Sequence, residues 1–119
     1  MKQINLSNIE QGELVVADIL FAEQVGAKKR LALVVSNTNF NAQSEDIVVL
    51  KVTSHGSNTK FDVKIDNKDT VNGALEKPST VMIDFPVVIV KKRIYARPDK
   101  IKPEKLLEIK QKLKELFEL

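Results

Sequence analysis

The stretch that decides the fold is Arg30-Leu31-Ala32-Leu33-Val34-Val35-Ser36, in which one cation leads into five consecutive apolar residues. A short apolar run bounded by turn residues is typical of a β-strand that is covered on both faces. A second run, Asp46-Ile47-Val48-Val49-Leu50-Lys51-Val52-Thr53, also predicts a strand. The residues between the two runs predict a turn with a short helical piece anchored by Phe40. The two runs together indicate a mostly β-stranded protein.

Further strands are predicted on both sides of these two runs. Glu13–Phe21 is a first strand launched by a Gln-Gly turn, and residues 61–66 alternate apolar and polar side chains. Residues 80–90 form one bent strand, or two short strands broken at Pro86, because proline cannot donate to a ladder. Polar loops are predicted at residues 23–29 and 54–58, and a tight turn at residues 72–73.

The hydrophobic period changes after residue 100. Apolar residues recur there at spacings of three and four, as one face of a helix requires: Leu106, Ile109, Leu113, Leu116 and Phe117. Pro103 suits the first helical turn, and Glu104 suits the positive end of the helix dipole. We therefore expect one domain over residues 1–119, with strands at about 13–90 and a C-terminal helix at about 103–118. Such a chain predicts a small curled antiparallel sheet or barrel capped by a helix.

Composition excludes several kinds of site. The 119 residues contain no cysteine and one histidine, so disulfides, thiolate metal sites and sites with several imidazole ligands are excluded within one chain. The sequence has no phosphate-cradling glycine loop and no nucleophile elbow. No segment approaches the roughly 20 apolar residues of a membrane span, and residues 1–5 lack the apolar run of a signal peptide. These features predict a cytoplasmic protein without a cofactor.

Charge is unevenly placed along the chain. The net charge is +3, yet residues 91–119 alone hold 10 Lys/Arg against 5 Asp/Glu. A basic segment of this kind either faces a polyanion or is the solvated face of a helix. The pattern by itself does not choose between the two.

Four polar residues at strand ends are candidates for chemistry. Arg30 carries a planar cation that grips phosphate oxygens in a bidentate manner, although a charge can also simply end a strand. Thr53 presents a hydroxyl at the edge of a loop, although threonine is also a common strand residue. His55 has the side-chain type suited to proton transfer near neutral pH. Asp84 is a candidate base or an ion-pair partner.

Six short pieces of the chain, in order, resemble the MazF/PemK family of toxin–antitoxin ribonucleases. They are Gly12–Val15, Lys29–Asn37, Phe40-Asn41, Val52-Thr53-Ser54, Leu75–Ser79 and Lys92-Arg93-Ile94. The resemblance runs from about Gly12 to the C-terminal helix. It implies the SH3-like antiparallel β-barrel of MazF-, PemK- and CcdB-like toxins, in a homodimer. It also implies a cognate antitoxin protein whose partly disordered tail blocks the RNA groove.

The resemblance further implies an activity, the metal-independent cleavage of single-stranded RNA through attack by its own 2′-hydroxyl. By position, Arg30 and Thr53 match the catalytic arginine and threonine of the family. Asp84 falls where some members carry a functional acidic residue, and His55 is a possible acid or base that this chain offers itself. The basic and hydroxyl neighbours of the catalytic pair are expected to bind RNA: Lys28, Lys29 and Ser54.

Two departures from the family pattern keep other functions open. Leu31 stands where the family usually has proline, and Met82 stands where some members have a second arginine. One alternative is a toxin of similar fold that poisons DNA gyrase, which would not need Arg30 and Thr53. The other is a diverged, non-catalytic module that binds a partner protein.

Overall fold

The computed structural model describes residues 4–20, 26, 28–55 and 59–119. Its strands and helices follow one another in this order: β1 (Glu13–Ile19), β2 (Lys28–Val34), α1 (Thr38–Gln43), β3 (Asp46–Thr53), β4 (Asp62–Ile65), β5 (Ser79–Val90), β6 (Ile94–Lys100) and α2 (Pro103–Phe117). Short 3-10 turns at residues 67–69 and 91–93 connect β4 to the following loop and β5 to β6. Of the predicted loop at 23–29, the structure describes only residues 26, 28 and 29, and the last two belong to β2. Of the predicted loop at 54–58, it describes only residues 54 and 55.

The strands form one antiparallel sheet in the order β4-β5-β3-β2-β1-β6. The mainly β fold with a C-terminal helix is confirmed, but the predicted barrel is not closed, because no ladder joins β4 to β6 within the described ranges. The two edges still meet at one point beyond their strands. Thr70 forms an isolated antiparallel bridge with Ile101, and the N–H of Val71 donates to the carbonyl of Lys100 at 2.8 Å. The sheet is therefore curled, with its edges linked by loop backbone.

Two apolar cores lie on opposite faces of this sheet. Successive strand residues point to opposite faces, so Ala32 and Val34 join one core while Leu31 and Leu33 join the other. This confirms that the run after Arg30 is covered on both faces. Helix α2 covers the second core with Leu106, Ile109, Leu113 and Leu116. Ile4 and Leu6, from the segment before β1, pack against the first core.

The last strand, β6, is the element that sequence patterning missed. Its sequence, Ile-Tyr-Ala-Arg-Pro-Asp-Lys, has no apolar alternation and contains a proline. It sits at the edge of the sheet, which is where proline is tolerated in a strand. The strands therefore extend to residue 100, beyond the expected limit of about 90.

Two local expectations are settled in the middle of the chain. Residues 79–90 form one strand, and its pairing with β3 shifts between Lys51–Met82 and Leu50–Pro86. The helical piece at residues 38–43 is present, but Phe40 does not anchor it, since its side chain is 48% exposed. Asn41 is the buried residue there, and its side-chain amide donates to the carbonyls of Ile9 and Ser36.

Within the described ranges, no helix is long and apolar enough to cross a membrane.

Candidate active-site cleft

A cavity of about 640 Å³ opens where β2 and β3 part. Their ladder ends at the pair Ala32–Lys51. Extended by two residues, the same register would set Arg30 opposite Thr53. Because successive strand residues point to opposite faces of a sheet, Arg30, Lys51 and Thr53 lie on one face and Lys29 lies on the other. The cavity is therefore lined by residues of both faces, around the ends of β2 and β3. We call this cavity the cleft.

The cleft gathers most of the residues that the sequence singled out. Lys29, Arg30, Thr53, Ser54 and His55 all line it. The segment after β4 supplies the opposite wall, with Ala74, Leu75, Glu76, Lys77 and Ser79. Two of the predicted site residues, Lys28 and Asp84, are exposed and are not among the described residues that line the cleft.

Arg30 has an unusual environment. Its Nε is the one buried side-chain nitrogen or oxygen in the described part of the chain without a hydrogen-bond partner. Burying a donor without a partner costs about 1–3 kcal/mol, and such groups are rare in folded proteins. An arginine whose role was to end a strand would extend into water. The buried, unpartnered Nε is therefore a donor that is available to a group in the cleft.

Arg97 shows what a purely structural arginine looks like in the same protein. Its Nε and Nη2 donate to the two carboxylate oxygens of Glu13, at 2.8 and 2.7 Å. Nη1 and Nη2 also donate to backbone carbonyls of Asn5, Ser7 and Asn8. The hydrogen bonds to Glu13 raise the pKa of Arg97 above its ordinary value. Arg97 thereby ties the N-terminal segment to β1 and β6.

The hydroxyl of Thr53 is held by the backbone of the loop that follows β3. The N–H of His55 donates to Thr53 Oγ1 at 3.1 Å. A hydroxyl has one proton and two lone pairs. Because this contact uses a lone pair, the Thr53 proton stays free to be donated to another group. The side chain of His55 is exposed at the rim of the cleft.

Two further residues of the site were missed by sequence reasoning. Lys51 lies inside an apolar strand, and its Nζ sits 4.8 Å from the centre of the Phe85 ring. Asp99 lies under the far wall, where its carboxylate accepts from the N–H groups of Asn72 at 2.8 Å and Ala74 at 2.7 Å. A charge inside an apolar run was the signal for Lys51. Asp99 gave no local signal, because the wall residues that it binds, Asn72 and Ala74, are 25 or more residues away.

Asp99 holds the turn that precedes the opposite wall of the cleft. Burial alone would raise the pKa of its carboxyl group, but the N–H groups of Ala74, Asn72 and Lys100 outweigh burial and hold the pKa below its ordinary value of 3.8. The carboxylate is therefore charged at neutral pH and fixes the turn over residues 72–74. That turn leads directly into the wall residues at 74–79.

The charge of the cleft suits a polyanion. Its described lining has four Lys/Arg residues, Lys29, Arg30, Lys51 and Lys77, against two carboxylates, Glu76 and Asp99. The carboxylate of Asp99 is already occupied by backbone N–H groups. In the described ranges, no group of three or more His, Cys, Asp or Glu side chains could hold a metal ion.

Solved structures place this sheet and helix in a known class of fold. An endoribonuclease from mycobacterial species matches with a TM-score of 0.75 at 18% identity, covering 96% of this chain and 95% of that chain. A MazE–MazF complex from Deinococcus radiodurans matches with a TM-score of 0.75 at 22% identity, covering 94% and 98%. A mycobacterial endoribonuclease in complex with its cognate antitoxin matches with a TM-score of 0.74 at 17% identity, covering 92% and 95%. The fold is that of the MazF-like toxins.

The sequence itself identifies the family. The family model of the PemK-like, MazF-like toxins of type II toxin–antitoxin systems matches residues 10–117. The chain therefore belongs to this toxin family, and the resemblance read from its short motifs is confirmed. No curated protein sequence shows a significant match to it.

Proposed function

We propose that this toxin is an endoribonuclease that cleaves single-stranded RNA with the RNA's own 2′-hydroxyl as the nucleophile. The observation that carries the proposal is the buried, unpartnered Nε of Arg30 in the same cleft as the Thr53 hydroxyl. Two structural neighbours of the chain are endoribonucleases, which supports RNA rather than gyrase as the target.

Arg30 binds the scissile phosphate in this proposal. The guanidinium stays charged and can donate two parallel hydrogen bonds to phosphate oxygens. As the 2′-oxygen attacks phosphorus, negative charge grows on those oxygens, and a fixed cation in a partly dry cleft stabilises it more than water does. Lys51, on the same face of the sheet, adds positive charge beside the phosphate.

Thr53 and His55 complete the site. Thr53 donates its free proton to a phosphate oxygen, while the His55 N–H holds the hydroxyl in place. The His55 imidazole takes the proton from the 2′-hydroxyl. The bond from the 2′-oxygen to phosphorus forms, the bond to the 5′-oxygen breaks, and that oxygen takes a proton from water. The hydroxide that is left takes the proton from the His55 imidazolium, which restores the neutral imidazole. The products are a 2′,3′-cyclic phosphate and a 5′-hydroxyl.

Lys28, Lys29 and Ser54 are assigned to binding the flanking RNA. Lys29 and Ser54 line the cleft, whereas Lys28 lies just outside it and attracts the backbone at longer range. Asp84 is exposed on β5 outside the described lining, so we give it no step in proton transfer. We further propose that the toxin works as a homodimer in the cytoplasm and is inhibited by a cognate antitoxin protein. Structures of MazE–MazF complexes among its neighbours support an antitoxin partner.

The test is cleavage of a mixed-sequence single-stranded RNA in the presence of EDTA. Wild type should cut and leave cyclic phosphate ends, whereas Arg30→Ala should be slower by about 10²-fold or more. Lys110→Ala, which removes an exposed cation from α2, should cut like wild type. Equal cutting by wild type and Arg30→Ala would sink the assignment. No cutting by wild type, with unaltered growth on induction, would favour a non-catalytic binding module.

A further inference from the structure

Tyr95 lies beside the cleft, in a position that the proposed reaction does not use. Between the pairs Ala17–Ile94 and Val16–Ala96, β1 advances by one residue and β6 by two, so Tyr95 is the extra residue of a β-bulge. Bulges re-aim side chains and are common next to active sites. The ring of Tyr95 is 48% exposed, although apolar rings usually gain free energy from burial.

The ring is held in place by residues of β1, which neighbours β6, and of β2, the next strand in the sheet. Its hydroxyl donates to Asp18 on β1, and the Nζ of Lys29 on β2 lies 4.4 Å from the centre of the ring. Asp18 and Lys29 are themselves a directly opposed pair of the β1–β2 ladder. A phenol is neutral at physiological pH, and the hydrogen bond to Asp18 raises the pKa of Tyr95 further above its ordinary value of 10.0. Tyr95 is therefore an exposed, oriented and neutral aromatic surface.

Lys29 connects this surface to the cleft. It lines the cleft next to Arg30, and its ammonium contacts the Tyr95 ring. Neighbouring strands are about 5 Å apart, so β6 lies roughly 10 Å from β2 across the sheet. A single strand with one phosphate at Arg30 could thus follow Lys29 and bring a nearby base onto the ring.

We infer that Tyr95 is a stacking platform for an unpaired base of the RNA, close to the nucleotide that is cut. Sequence-tolerant stacking of bases on aromatic rings is the usual way in which single strands are held. The inference deepens the proposed function and rests on it, because the RNA must occupy the cleft for its base to reach the ring.

The chain offers a direct probe of this contact. It has one tyrosine and no tryptophan, so all tyrosine emission of the protein comes from Tyr95. The ligand is a non-cleavable, 2′-O-methyl single strand of mixed sequence, with free tyrosine amide correcting for absorption by the bases. Stacking predicts saturable quenching of the emission. The affinity of a dye-labelled copy should fall by about tenfold or more in Tyr95→Leu and change little in Tyr95→Phe, which keeps the ring.

Phe40→Leu is the matched control. Phe40 is also 48% exposed, but it lies on α1 and is not among the described residues of the cleft. Its removal should leave the affinity for the oligonucleotide unchanged. A general loss of stability in Tyr95→Leu is checked by thermal unfolding, and the presence or absence of quenching in wild type decides the inference if the leucine variant does not fold.

The outcomes separate this inference from the proposed function. If wild type binds and cuts RNA in an Arg30-dependent way, but shows no quenching and keeps its affinity in Tyr95→Leu, the platform is wrong and the nuclease stands. If Tyr95→Leu keeps its affinity for RNA but binds a protein partner more weakly than wild type does, Tyr95 belongs to the surface for that partner and the inference is overturned. If wild type neither binds nor cuts RNA, both proposals fall.

Discussion

The backbone N–H of His55 donates to the side-chain hydroxyl of Thr53 at 3.1 Å. This contact closes a short turn at the point where β3 ends and the cleft begins. It fixes the hydroxyl of one candidate catalytic residue through the main chain of another. The position of the hydroxyl is thus set by local sequence, two residues apart, and needs no distant partner.

Replacement of Thr53 separates the hydroxyl from the shape of the side chain. Thr53→Val keeps the branched shape that suits a strand, but removes both the proton and the acceptor for the His55 N–H. We expect cleavage to slow by about 10²-fold, whereas Thr53→Ser should stay within about tenfold of wild type. Single-turnover rates with saturating RNA measure this. If the valine variant cuts as fast as the serine variant, the hydroxyl has no role in the reaction.

Replacement of His55 tests its role in proton transfer. His55→Gln keeps the backbone N–H that donates to Thr53 Oγ1 and removes the imidazole. If the imidazole takes the proton from the 2′-hydroxyl, cleavage should slow by about 10²-fold or more. Single-turnover rates at saturating RNA measure this. A rate in His55→Gln equal to that of wild type would remove His55 from proton transfer.

The stability of Arg30 variants tests its role without any assay of activity. If the buried Nε is kept unpartnered for a ligand, its loss should relieve a cost of about 1–3 kcal/mol. We expect Arg30→Met to raise the free energy of unfolding in urea by about 1 kcal/mol while cleavage is lost. Lys110→Met, at an exposed position of α2, should leave stability nearly unchanged. A less stable Arg30→Met protein would show that the guanidinium has a structural function.

Asp99 should control both stability and the cleft wall. Its pKa is lowered in the folded protein, so its contribution is complete above the ordinary value of 3.8 and is lost as the pH falls through the lower folded value. Asp99→Asn should cost about 1–3 kcal/mol at pH 7, and the difference from wild type should shrink below pH 4. Urea unfolding at several pH values measures it. A difference that stays constant with pH would contradict a charged Asp99.

The absence of a side chain at Gly12 allows α2 to pack closely on the sheet. Its φ is +97°, and an added Cβ would stand 3.2 Å from Cδ2 of Leu106 on α2. Gly12→Ala should therefore destabilise the protein by about 1–3 kcal/mol. Gly73→Ala is the control for backbone strain alone, since φ is +65° there and an added Cβ meets nothing within 4 Å. If both substitutions lower the free energy of unfolding by the same amount, the contact with Leu106 does not contribute to the effect.

Much of the fold followed from local pattern. The apolar run after Arg30 predicted a strand buried on both faces, and the three- and four-residue spacing from Leu106 predicted α2 to within a residue or two. Strand β6 was not predicted, because its polar residues meet their partners only in the folded chain. Arg97 pairs with Glu13, and Asp99 accepts from the turn over residues 72–74.

The sequence by itself determined which residues form strands and helix, and it singled out Arg30 and Thr53 as chemical groups, because burial period and residue type are local properties. Only the tertiary structure decided that the β2–β3 ladder stops at Ala32–Lys51 and leaves both residues at one cleft. It alone set Lys29 over the ring of Tyr95 and left Nε of Arg30 without a partner. Those relationships depend on strand order and register, which join residues far apart in the chain.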